Sequence, residues 1–227
     1  MPRPSAAVED YLKGIHEIER ETGGAASTAA LAERLGVSRA SVSGMLKKLS
    51  DSPDRWVRYE RYRGVRLTTA GQRVALEVIR HHRLVESYLV AALGYGWDEV
   101  HGEADHLEHV ISEAFEERIA ALLGDPQADP HGAPIPPRGG RLPRPNDVRL
   151  TDVAVGRTAS ISRVSDRDPA LLQYLGRLGL RPLRRLRVTD RSPFDGPLHV
   201  QAEGSDEIHA LSRRITDDVF VLVEPEG

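Results

Sequence analysis

Between Gly124 and Asp147 the chain places four glycines and seven prolines in 24 residues. Proline lacks an amide hydrogen and glycine carries the largest backbone entropy, so neither a helix nor a sheet runs easily through such a stretch. The segment predicts a crossover or tether, with helical periodicity before it and short β-favouring runs after it. A chain of 227 residues has room for one large domain or two or three small ones. The absence of cysteine excludes disulfide frameworks, thiolate metal sites, thiol nucleophiles and iron–sulfur clusters, and fits a reducing cytoplasm. The start MPRPSAAVEDYLKGIHEIER lacks a signal-peptide core, and no run reaches the roughly 18 apolar residues of a membrane helix. The expectation is a soluble cytoplasmic protein with no membrane partner.

Before the break, Val8, Tyr11, Leu12, Ile15 and Ile18 recur at the spacing of one helical face, with Ser5 as the expected N-cap and Gly23-Gly24 as the stop. Thr28 can cap a short helix presenting Ala30, Leu31 and Leu35 and ending at Gly36. Ser38 then opens a third helix with the stripe Val42, Met45, Leu46 and Leu49, completing a helix-turn-helix pattern. Trp56–Tyr59 and Val65–Leu67 read as a hairpin turning at Arg61-Tyr62-Arg63-Gly64, a small wing. A long helix from Thr68 or Thr69 to about Leu93 follows, then one opened by Asp98 with the stripe Val100, Ala104, Leu107 and Ile111. A further helical stretch carries Phe115, Ile119, Leu122 and Leu123. After the break, residues 158–164, 186–189, 198–202 and 219–223 read as strands and 169–178 as a helical turn set, which points to a small barrel or sandwich.

The net charge of -3 conceals strong segregation. Residues 34–66 hold nine Lys/Arg against three acids, whereas residues 98–129 hold ten Asp/Glu against Arg118, with His101, His106 and His109 among them. The first segment points to a polyanion and the second to a divalent cation. Once the third helix buries its stripe, Arg39, Ser43 and Lys47 share its free face, flanked by Ser38, Ser41 and Lys48. Such a face suits a DNA major groove about 12 Å wide, and Arg61 and Arg63 at the wing tip suit the adjoining backbone or minor groove. On the acidic helix, His101, Asp105, Glu108 and His109 lie within one stripe. His82 and Glu86, four apart on the preceding helix, and Asp10 on the first could complete one or two metal sites. The plain alternative for each is a solvated helix face.

Taken together, EDYL at Glu9–Leu12, VSRASVSGMLKKL at Val37–Leu49, YRGVRLTTAG at Tyr62–Gly71, RHHRLVE at Arg80–Glu86, HGEADHLEHVIS at His101–Ser112 and DPHGAPIP at Asp129–Pro136 are similar to landmarks of the diphtheria-toxin-repressor family of metal-dependent transcriptional regulators. The resemblance implies a mainly α protein with a small β part: a winged helix-turn-helix domain (1–72), a helical dimerisation and metal domain (73–146) and an SH3-like C-terminal domain (147–227). It implies a primary site at Asp10, Asp105, Glu108 and His109 and an ancillary one at His82, Glu86 and His101. Asp129, His131 and Asp168 match further ligands found in some relatives. Oxygen donors at Asp10 and Asp105, where iron-type members carry sulfur, favour Mn(II) as effector over Fe(II). Lys13 stands where some manganese sensors have a carboxylate.

The expected partners are a double-stranded palindromic operator and a second copy of the chain, with no small organic substrate. Metal would tie Asp10 to the acidic helix, and without it the first helix should be looser. The rivals are a metal-dependent hydrolase and a metal-independent winged-helix regulator. The hydrolase leaves the basic hairpin unexplained, and the chain shows no phosphate loop, GxSxG elbow or HExxH.

Overall fold

A computed structural model describes residues 4–143 and 145–225. They form two compact units, and the division falls within one long helix. The first unit comprises the chain up to His82 with Glu108–Ile111 and Pro136–Leu142. The second comprises Arg83–Leu107, Ser112–Ile135 and the chain from Pro143 onward.

In the first unit, helix α1 (Ala6–Thr22) buries Val8, Tyr11, Leu12, Ile15 and Ile18, the face its periodicity predicts. Ser5 occupies the N-cap position but its side chain makes no capping bond. Helix α2 (Thr28–Leu35) is capped by Ser27, one residue before the expected Thr28, through a 3.0 Å bond from Ala30 N–H. Either hydroxyl can cap, and the register follows from which residue takes the extended backbone conformation, here Ser27. Ser38 caps α3 (Arg39–Asp51), which buries Val42, Leu46 and Leu49 and leaves Met45 half-buried.

Strands β1 (Val57–Glu60) and β2 (Gly64–Leu67) pair antiparallel, Val57 opposite Leu67 and Glu60 opposite Gly64. Val65 also bridges Ala26, which fixes the base of the hairpin to the segment before α2. Gly64 is required there. Its φ is +94°, and a Cβ would lie 2.6 Å from the Ala26 carbonyl oxygen. Ion pairs from Arg34 to Glu17 and Glu21 and from Arg66 to Glu19 join these elements to α1, so part of the basic excess is used internally.

Helix α4 (Thr69–Leu93) is continuous for 25 residues. The second unit contains α5 (Val100–Leu107) and α6 (Glu113–Leu122), with Leu84, Ile119, Ala120 and Ile135 in one buried cluster. Its C-terminal part is an SH3-like antiparallel sheet of six strands in the order β3-β8-β4-β5-β6-β7. These are β3 (Val148–Arg149), β4 (Thr158–Val164), β5 (Arg185–Arg191), β6 (Leu198–Ala202), β7 (Ile208–Leu211) and β8 (Val219–Val223). Helices α7 (Pro169–Arg177) and α8 (Arg213–Thr216) accompany the sheet. Val148–Arg149 and Ile208–Leu211 have too few alternating apolar residues to stand out in sequence. Trp97, from the turn before α5, joins the core of this sheet with Leu172, Leu175 and Leu180.

The Pro/Gly-rich segment is irregular, as expected, yet part of it is docked. Asp129 Oδ1 accepts the N–H groups of His131 and Ala133 at 2.8 and 3.0 Å, and Val164 N–H donates to the His131 carbonyl at 2.9 Å. Gly132 has φ +86°, and a Cβ there would overlap the Ser162 carbonyl oxygen. Among the described residues no helix is long and apolar enough to cross a membrane.

Candidate metal centres and nucleic-acid interface

In the first unit α1 meets the short segment after α5. Asp10, Glu108 and His109 each present a ligand atom, and the three atoms lie within 4.8 Å of one another. His109 Nε2 is 2.9 Å from Asp10 Oδ1 and 3.4 Å from Glu108 Oε1. His109 Nδ1 donates to Glu9 Oε2 at 2.7 Å, which turns Nε2 toward the two carboxylates. A carboxylate behind a ligating imidazole fixes its tautomer and raises its basicity. Glu9 was not expected from sequence, although a signal existed: three residues before Leu12, it falls within the buried stripe of α1 and is 2% exposed. Burial, with the Glu108 charge adding to it, pushes the Asp10 carboxyl above its usual range against the pull of His109.

Lys13 adds the opposite charge. Its Nζ donates to Glu108 Oε2 at 2.7 Å and lies 3.1 Å from His82 Nδ1, which is itself 2.5 Å from that oxygen. The chain's own cation thus bridges α1 to Glu108, and Glu9 bridges α1 to His109. His82 is buried and hydrogen-bonds Glu108.

The second unit gathers another set around Glu86. His101 Nδ1 is 3.2 Å from Glu86 Oε1 and 3.6 Å from Asp166 Oδ2, and His101 Nε2 is 3.7 Å from Asp105. On the other side, Glu86, Asp129 and His131 are all buried and present ligand atoms within 4.8 Å of one another. His131 Nε2 must donate to the Trp97 carbonyl 2.6 Å away, because a carbonyl only accepts. Its Nδ1 is therefore turned to Glu86 at 3.6 Å. Among the described residues neither His131 Nδ1 nor Asp129 Oδ2 makes a hydrogen bond, although Arg83 lies 3.4 Å from the latter. Buried polar atoms are ordinarily satisfied, and converging oxygen and imidazole donors fit a divalent ion.

Asp168 is turned elsewhere. Its Oδ1 caps α7 by accepting from Ala170 and Leu171, and its Oδ2 pairs with Arg214 at 3.1 Å. Asp166, two residues earlier in the loop after β4, takes the place beside His101; nothing local in the sequence marks it. Asp105 belongs to the second unit, half-exposed on α5.

The basic surface lies on α3 and the wing. Arg39, Ser41, Lys47 and Lys48 are exposed, and a Cβ at Gly44 would meet nothing within 4 Å, so this face is open. The hydroxyls are partly engaged. Ser38 accepts from Ser41 N–H at 3.1 Å and contacts its hydroxyl at 2.8 Å, while Ser43 donates back to the Arg39 carbonyl at 3.0 Å. Arg61 and Arg63 are exposed at the wing tip, Arg63 lying 3.4 Å from Glu60.

Residues 5–65 match the family described as "Iron dependent repressor, N-terminal DNA binding domain", residues 68–137 "Iron dependent repressor, metal binding and dimerisation domain", and residues 148–223 "FeoA domain". The iron-dependent repressor IdeR of Mycobacterium tuberculosis is 38% identical over 160 residues, covering 67% of this chain and 68% of that protein. The diphtheria toxin repressor of Corynebacterium diphtheriae is 37% identical over 128 residues, covering 56% of this chain and 55% of that protein. A solved structure described as "Manganese-dependent transcriptional repressor complex with manganese" superposes with a TM-score of 0.86 at 39% identity, covering 95% of this chain and 99% of the other. The manganese regulator SloR gives 0.78 at 32%, covering 96% and 98%. With a DNA-binding domain, a metal-binding and dimerisation domain and a FeoA domain in this order, the chain belongs to the diphtheria toxin repressor family: it is a metal-dependent transcriptional repressor, not an enzyme.

Proposed function

We propose that the effector is Mn(II) and that the loaded protein binds a palindromic operator as a homodimer, controlling metal homeostasis in the cytoplasm. The observation that carries this is the donor set at Asp10, Glu108 and His109: two carboxylates and one imidazole, without sulfur, drawn from α1 and from a segment 98 residues later. Hard oxygen donors suit Mn(II), whereas thiolate or imidazole-rich sets favour zinc and copper. The similar structure described as a complex with manganese supports the reading. Fe(II) is the second reading, favoured by the curated relatives described as iron-dependent repressors. Glu86, His101, Asp166, Asp129 and His131 would hold a further ion in the second unit.

A bound ion supplies positive charge shared by Asp10 and the Glu108-His109 segment. The remaining work belongs to the chain. Glu9 orients His109, Lys13 steadies Glu108, and α1 packs against α2, which in turn packs against α3, and against β2 of the wing, so it adjoins both elements that carry the DNA-facing side chains. An effector that favours the operator-competent arrangement raises operator affinity by the factor by which operator raises effector affinity. The test is a titration of the protein with Mn(II), Fe(II) without oxygen, and Zn(II), while following binding to a labelled promoter fragment. Mn(II) is expected to tighten binding by about 100-fold, a coupling of about 2.7 kcal/mol. Activation by Fe(II) alone would replace Mn(II) with iron, and binding indifferent to chelation would restore the metal-independent rival.

The second cluster carries its own pH signature. Burial pulls His131 down, but the Glu86 carboxylate, with Asp129 and Asp166 behind it, lifts it to about 9. Burial, then the Glu86 charge, raises Asp129 to about 6. Both groups hold protons more tightly folded than unfolded. Their stabilising contributions are present below pH 3.8 for Asp129 and 6.5 for His131, and are lost as pH rises through about 6 and about 9. Metal ligation requires His131 neutral and Asp129 ionised. Between those values binding displaces one proton, so Mn(II) affinity at this cluster is expected to rise about tenfold from pH 7 to pH 8. Calorimetry in two buffers of different ionisation enthalpy reads the proton directly, and a flat profile would remove His131 from the ligand set.

A further inference from the structure

We propose that Tyr62 is a DNA-contacting residue of the wing, laying its ring against the sugar wall of the minor groove. The inference rests on the repressor reading and goes beyond the cationic contacts assigned to Arg61 and Arg63. Three observations carry it. Tyr62 occupies the third position of the tip turn closed by Arg63 N–H to the Glu60 carbonyl at 3.0 Å, with φ +68°, where glycine or asparagine is the unstrained choice. Its side chain is 92% exposed, so the fold recovers no burial in return. The Arg61 guanidinium lies 5.1 Å from the ring centroid, and Arg58, Arg63 and Arg66 are exposed on the same hairpin.

A strained residue that contributes nothing to the core points to function at that position. A flat apolar ring between cations fits a partner whose anionic rails enclose apolar sugar surfaces, which describes a duplex groove. An acidic protein surface would be served by the arginines alone.

The test uses the full-length metal-loaded protein and a labelled operator across a salt series, with wild type, Tyr62→Gly, Tyr62→Phe and Arg61→Ala. Tyr62→Gly relieves the backbone, so its melting temperature is expected to be no lower than that of wild type, while operator affinity falls about tenfold. Because no charge is removed, the slope of log affinity against log salt stays unchanged. Tyr62→Phe retains wild-type affinity, and Arg61→Ala reduces the slope by about one. Wild-type affinity in Tyr62→Gly would overturn the inference, as would a loss that Tyr62→Phe shares. Failure of the wild-type protein to bind any operator would overturn the repressor reading itself and this inference with it.

Discussion

Replacing Asp10 with alanine is expected to lower metal-activated operator affinity by about 100-fold, or about 2.7 kcal/mol, at a metal concentration that saturates the wild type. Asp10 is the side chain of α1 that reaches His109 Nε2, the nitrogen left open once Glu9 holds Nδ1. Removing it takes one of three converging ligand groups from the first centre. Perturbing only a partner behind a ligand typically costs 10- to 100-fold in metal affinity, so loss of a ligand should reach at least the upper end. The fold should tolerate the change. The Asp10 side chain is 45% exposed, and α1 stays joined to the Glu108-His109 segment through Lys13 and Glu9. A thermal melt within a few degrees of wild type without metal, beside lost operator binding by fluorescence anisotropy, separates ligation from folding. Unchanged anisotropy at that metal concentration would remove this centre from activation.

Gly132→Ala is expected to do the converse, damaging structure locally and one centre with it. A Cβ there would overlap the Ser162 carbonyl oxygen at a φ of +86°, so two penalties coincide. Alanine at positive φ costs roughly 1–2 kcal/mol, and the backbone overlap forces the segment off β4 at further cost, so a total of about 3 kcal/mol or more is reasonable. The hydrogen bond from Val164 N–H to the His131 carbonyl would go first, carrying His131 and Asp129 away from Glu86. Denaturant unfolding should show the loss. Calorimetric titration with Mn(II) should show one fewer binding event, with ligation at Asp10, Glu108 and His109 intact. Full stoichiometry in this variant would exclude Asp129 and His131 as ligands.

The contrast between the two sites shows where reading the chain residue by residue succeeds. Asp10, Glu108 and His109 stand in motifs legible along the chain, but α5 ends at Leu107, so Glu108 and His109 lie on the turn after it and not on one helical stripe with His101 and Asp105. Glu9, which orients His109, was legible only as a carboxylate inside an apolar stripe. Lys13, which stands where some manganese sensors have a carboxylate, bridges to Glu108. The resemblance points to Asp168 and not to Asp166, because matching a position does not reveal which way its side chain turns; the demand of α7 for an N-cap claims Asp168. Ser38 and Ser43 show the same competition, since hydroxyls counted toward DNA also bond their own helix.

Helices α1 to α4, the wing and the break after Gly124 follow from periodicity, capping residues and glycine or proline placement, interactions that act over a few residues and are therefore written in neighbouring letters. The convergence of Glu86 with Asp129, His131 and Asp166, and of α1 with Glu108, was decided by tertiary structure. The physical reason is separation. These partners lie from about 40 to about 100 residues apart, their encounter depends on how helices, loop and sheet pack, and no local preference along the chain records that distance.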